Sequence, residues 1–134
     1  MDKFSPELRS ATMRAVHSKK TKLEDSVSKA LWKKGVRFRR NVVDLVGKPD
    51  ISIKRERFVL FIDSCFWHGC EEHCRLPETN KDYWTKKIER NRERDQKITN
   101  YYLNAGWNIV RIWEHELKVD FNQTILKIIT KSRL

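Results

Sequence analysis

The chain is poor in residues that break or cross-link a fold, with three prolines, four glycines and three cysteines among 134 residues. It has no internal repeat, linker or low-complexity segment, so one domain is expected. Three cysteines cannot all pair. They lie together between Cys65 and Cys74, which argues for a metal site in a reducing compartment rather than a disulfide framework. No apolar run approaches the roughly 18 residues of a membrane span. The N-terminal Met1–Ser10 segment also lacks a signal-peptide core, so no membrane association and a cytoplasmic location are expected. Negative charge is scarce as well: 18 acidic residues face 29 lysines and arginines, a net charge of +11. That imbalance points to a polyanionic partner, most commonly nucleic acid. No stretch has the amphipathic basic face of a membrane-surface helix.

What the chain does have is 39% hydrophobic residues, enough for a single core without staples. Ser5 to Ser18 reads as a short basic helix with thin apolar content, an arm that orders on a partner. Thr21 to Lys34 reads as a stronger helix, with Leu23, Val27, Ala30 and Leu31 on one stripe and Gly35 ending it. Thr21 and Glu24 form a capping box, which by itself gives Glu24 a structural role. Strands are predicted over Val36–Val43, Asp50–Ile53 and Phe58–Ile62, the last apolar throughout and so buried on both faces. A long helix is predicted from about Asn80 to Asn104, with Tyr83, Trp84, Ile88, Ile98, Tyr102 and Leu103 toward the sheet and one strongly basic face. Trp107–Trp113 alternates as a fourth strand, and Asp120 caps a last helix. The expectation is one α/β domain with a mixed sheet flanked by helices: a basic arm over residues 1–20 and a catalytic domain over residues 21–134.

The stretch from Phe61 to Cys74 concentrates the chemistry. Cys65-x4-Cys70-x2-His73 offers three zinc ligands, and a structural site takes four. Cys74 can complete it locally. His115 is preferred, because a ligand beyond the fourth strand ties the loop to the fold. Asp50, following Pro49 at the head of a strand, suits a magnesium-binding carboxylate of a nuclease, although Pro-Asp is also ordinary turn chemistry. The next strand supplies no lysine as general base, so His68 is the candidate, with a zinc-ligand role as its rival. Asp95 can orient that imidazole, or simply pair with neighbouring arginines. Phe66 and Trp67 are consecutive and point in opposite directions on an extended backbone, so at least one is available to stack on a base. Trp84 can join them, although Trp on a sheet-facing stripe is more often core.

These residues coincide, in order, with the motifs of a known family. Ser10-Ala11-Thr12-Met13-Arg14-Ala15, Thr21-x-x-Glu24, Gly47-Lys48-Pro49-Asp50, Cys65-Phe66-Trp67-His68-Gly69-Cys70, Tyr83-Trp84, Asn91-x-Glu93-Arg94-Asp95 and Val110-Arg111-Ile112-Trp113-Glu114 together resemble the very-short-patch repair (Vsr) mismatch endonucleases. The resemblance implies a restriction-endonuclease-like fold. It also implies magnesium-dependent nicking of one strand of double-stranded DNA, 5′ to the thymine of a T:G mismatch left by deaminated 5-methylcytosine. By position, Asp50 and the backbone carbonyl of Ile62 would hold magnesium, and Glu24 would hold water at that site. His68 would activate water with Asp95 in support, and Phe66, Trp67 and Trp84 would enter the duplex. Met13 and Arg14 would contact DNA from the region that reaches the minor groove. Zinc would fall to Cys65, Cys70, His73 and His115, with His73 and Cys74 competing for the third place.

Three positions depart from the family's enterobacterial pattern. That pattern has Thr-His-Gly where this chain has Ile62-Asp63-Ser64, a histidine run where it has Gly69 to His73, and cysteine at the position of His115. Asp63 is then either an added metal ligand or a modulator of His68. The enzyme is expected to act as a monomer, with other repair proteins as further partners. A non-cleaving, zinc-stabilised DNA-binding module and a relative that nicks other mismatches are the alternatives.

Overall fold

The computed structural model describes residues 22–65, 70 and 79–132. The predicted basic arm, the Thr21 cap, Phe66 to Gly69 and Glu71 to Glu78 lie outside the described residues. A helix over residues 22–33 (α1) leads into strand β1, Arg39–Arg40, and strand β2, Ile51–Ile53. A 3-10 turn at Lys54–Glu56 connects to β3, Phe58–Asp63. Helix α2, Lys81–Asn104, is followed by β4, Asn108–Trp113, then α3, Glu114–Val119, and α4, Phe121–Ser132.

The sheet runs in the order β1-β2-β3-β4, antiparallel between the first three strands and parallel between β3 and β4. The parallel pair needs a crossover connection, and α2 lies on it. β3 is buried along its whole length, as its unbroken apolar sequence predicts. Alternation sends its residues to two separate cores. Phe58, Leu60 and Ile62 join Val27 and Leu31 of α1, Leu117 of α3, and Ile125 and Ile128 of α4. Val59 and Phe61 join Tyr102 and Ile98 of α2. Helices thus cover both faces of a four-stranded mixed sheet, and each fully buried Leu or Ile stabilises the fold by roughly 1.5–3 kcal/mol.

Local signals set the boundaries. Gly35 at φ +91° donates to the Trp32 carbonyl, and Val36 donates to Leu31. This is the paired closure that ends a helix where a left-handed residue follows it. Gly47 at φ +76° sits where an added Cβ would lie 2.9 Å from Ile98 of α2, so the turn before Asp50 packs directly on the helix. Asp120 accepts from the Gln123 amide and opens α4, as read from the sequence.

The structure corrects three expectations. The strand predicted over Val36–Val43 shrinks to Arg39–Arg40, because Asn41 takes a left-handed φ of 51° and Val43 beyond it is 77% exposed. Leu103 does not face the sheet; it is exposed, while Trp84, Ile88 and Tyr102 are the buried residues of α2. Glu114–Val119, unassigned in the sequence, forms α3, with Glu116 reaching back to accept from the Trp113 amide. No described helix is long and apolar enough to cross a membrane.

Candidate active site and metal centre

Topology collects the chemistry at one pole of the sheet. Asp50 precedes β2, which runs antiparallel to β3, so it lies beside the far end of β3. There its Oδ2, in a carboxylate only 6% exposed, accepts from the Ile62 amide at 2.6 Å. An extended residue sends its N–H and C=O to the same edge, so the Ile62 carbonyl also faces the Asp50 side. β4 ends at the same pole, where its last residue, Trp113, is level with Asp63. α2 runs back along the sheet, with Tyr102 packed near the start of β4 on Trp107. Asp95, two turns earlier, therefore lies toward the pole.

Just past β3, the Cys65 amide donates to Glu114 Oε1 at 2.8 Å, fastening the loop to α3. His115 Nδ1 is 3.3 Å from Cys65 Sγ and 3.6 Å from Cys70 Sγ. Its ring stacks on Trp113 at an interplanar angle of 15°. The Cys70 amide closes the loop onto the Cys65 carbonyl. Burial pushes the Cys65 thiol up to about 12, with nearby Glu114 and Cys70 adding to the shift against a hydrogen bond from the His115 backbone. Two buried sulfurs and an imidazole whose ligand atoms all lie within 4.8 Å of one another form a group that could hold a metal ion. Among the described residues this is the one such cluster of three or more. Asp50, Glu24 and Asp95 form no comparable triad.

Of the residues named for zinc, Cys65, Cys70 and His115 are described and lie together. His73, Cys74 and His68 lie outside the described residues, as do Phe66, Trp67, Met13 and Arg14. Glu24 sits on α1 and is 9% exposed. Trp84, named as a DNA contact, is 0% exposed here and its ring meets Tyr83 edge-on. The basic face of α2 is nevertheless shaped: Tyr83, Lys86, Lys87, Arg90, Asn91 and Arg94 line a groove of about 320 Å³.

Residues 1–76 match the family model described as DNA mismatch endonuclease Vsr. The chain belongs to the Vsr family of DNA endonucleases. It is 44% identical over 119 residues to the type II nicking enzyme V.XorIIP of Xanthomonas oryzae pv. oryzae, covering 87% of this chain and 86% of that protein. It is 42% identical over 113 residues to the type II nicking enzyme V.NaeI of Lentzea aerocolonigenes, covering 81% and 68%. Against the DNA mismatch endonuclease Vsr of Escherichia coli K12 it is 34% identical over 113 residues, covering 82% and 71%.

In this Vsr-family chain, reading the sequence missed the partners that hold the pole together. Asp63, open between two roles, is 5% exposed and pairs with Arg111 Nη1 at 2.9 Å. Glu114 and Trp113, quoted only as motif letters, anchor Cys65 and His115. The available signal was Arg111, the single charge in the alternating strand β4.

Proposed function

We propose that the protein nicks one strand of double-stranded DNA 5′ to the thymine of a T:G mismatch, with magnesium for catalysis and zinc for structure, on a restriction-endonuclease-like scaffold. The observation that carries the reading is Asp50: a nearly buried carboxylate held against the Ile62 peptide at the pole where the Cys/His cluster also sits. Magnesium is suited by one or two carboxylates plus substrate phosphate oxygens, and Asp50 with the Ile62 carbonyl fits that donor set. When bound, the ion neutralises charge developing on the phosphate. Asp50 holds the site, Glu24 orients water, and His68 takes the proton of the attacking water at its imidazole nitrogen. Asp95 accepts a hydrogen bond from the second ring N–H and so fixes the tautomer.

The sulfur–imidazole donor set of Cys65, Cys70 and His115 fits zinc, with His73 or Cys74 closing a tetrahedral site. Its work is structural. It holds the Phe66–Trp67 wedge and His68 in register with Asp50, while Met13 and Arg14 of the basic arm contact the duplex and the cationic groove on α2 runs along the phosphates. The protein works as a monomer in the cytoplasm, and other repair proteins act with it.

The test is a nicking assay on duplexes carrying each mismatch. Cleavage of the thymine strand of T:G in magnesium is expected, and Asp50→Ala should lower it by about a thousandfold or more, roughly 4 kcal/mol of lost transition-state stabilisation, with binding spared. Uncut T:G duplex at saturating, normally binding enzyme defeats the proposal. A second reading, nicking at other mismatches, is favoured by the higher identity to proteins named nicking enzymes than to Escherichia coli Vsr. It would appear as cleavage without T:G preference.

A further inference from the structure

Every nitrogen of the Arg111 guanidinium is engaged, and its partners lie on two different elements. Nη1 donates to Asp63 Oδ1 at 2.9 Å, Nε to Thr99 Oγ1 at 2.8 Å, and Nη2 to the Asp95 carbonyl at 3.2 Å. The guanidinium carbon also lies 4.4 Å above the centroid of the Phe61 ring. Neutralising Asp63 needs only the first of these contacts. Asp95 and Thr99 are one turn apart on α2, so the planar fork spans a helical turn and fixes both its height and its rotation against the sheet. The apolar packing of α2 through Ile88 and Tyr102 is non-directional and sets neither so sharply. Asp63, the last residue of β3, is where the chain enters the loop that carries Cys65 and His68.

We propose that Arg111 is a positioning residue for the nicking reaction: it locks the α2 turn bearing Asp95 to the exit of β3 and so sets where the Asp95 carboxylate is held at the pole. Asp63 is accordingly the anchor of this clamp. The inference rests on the catalytic assignment of Asp95 made above.

The test is a mutant cycle on T:G nicking, with kcat and KM measured separately. Arg111→Lys keeps the charge opposite Asp63 and loses the fork, so kcat should fall about tenfold or more with KM within about twofold, since positioning acts on the transition state. Arg111→Met in the Asp95→Asn background should cost nothing further, because the group being positioned is already gone. Losses that multiply across the cycle overturn the proposal. Because Arg111→Met alone removes the cation facing the buried Asp63 carboxylate, a second variant, Asp63→Leu with Arg111→Met, removes both charges and should keep the fold while still losing kcat. Wild-type nicking by that folded pair also overturns the clamp. Full activity of Asp95→Asn overturns the catalytic role of Asp95 itself, and the clamp with it; a partial, measurable loss in Asp95→Asn alongside multiplicative cycles overturns the clamp alone.

Discussion

Cys65 carries its proton at neutral pH, because burial holds its thiol at about 12 against an ordinary 9.0. A metal ion takes the thiolate, so binding must expel that proton. Adding zinc to metal-free protein at pH 7 in a weakly buffered indicator solution should therefore release at least one proton per zinc. Cys65→Ser should release fewer. The same shift sets a stability trend in the metal-free state. The folded pKa lies above the unfolded one, so the contribution of Cys65 is fully present below about pH 9 and is lost as pH rises from there toward 12, where the unfolded chain ionises first. Thermal melts of chelated protein should be flat from pH 7 to 8 and fall above 9, with the fall reduced in Cys65→Ser. With zinc the dependence reverses, since protons compete for the ligands in acid. Burial also raises the Tyr102 phenol, which adds an alkaline fall of its own, so the reading is the part removed by Cys65→Ser: if that part persists undiminished with zinc added, the cluster holds no ion.

At the scale of elements, the turn before Asp50 is the most exacting contact, because the left-handed Gly47 is pressed onto Ile98. Gly47→Ala should destabilise by about 1–3 kcal/mol in denaturant titration, combining a strained φ with overpacking. Trimming the neighbour with Ile98→Val should return part of that loss, whereas a fully additive pair would mean that backbone strain alone is responsible. This turn was legible in the sequence as Gly47-Lys48-Pro49, and so were β3, β4, α2 and α4, whose periodicities of two and 3.6 run long enough to be unambiguous. Val42 and Val43 misled, since apolar residues extend a strand only if a face waits to bury them. α3 was illegible because a six-residue helix following directly on a strand leaves no periodic record. In the site, Cys65, Cys70 and His115 could be gathered because sulfur and imidazole clusters have few other uses. The pairing of Asp63 with Arg111, 48 residues apart, depends on the parallel register of β3 and β4, and residue types do not encode register at that distance.

For the whole molecule, the net charge of +11 is an argument about association with DNA and not about the fold. The groove along α2 concentrates part of it, with Lys86, Arg90 and Arg94 on a surface that α2 does not use for packing. If these side chains meet phosphates, each contact releases a condensed counterion, and the slope of log affinity against log salt carries about −0.9 per contact. Replacing Lys86, Arg90 and Arg94 by Gln, singly and together, should flatten that slope by about one per residue that touches the duplex. The three are exposed, so thermal stability should move by no more than about 0.5 kcal/mol each. The loss should be equal for matched and mismatched duplexes, because phosphate contacts position a protein without reading sequence. Fluorescence anisotropy from about 50 to 200 mM salt on both duplexes separates the cases. A parallel loss assigns these cations to the backbone, a loss confined to the mismatched duplex assigns them to recognition, and an unchanged slope places the DNA on another face.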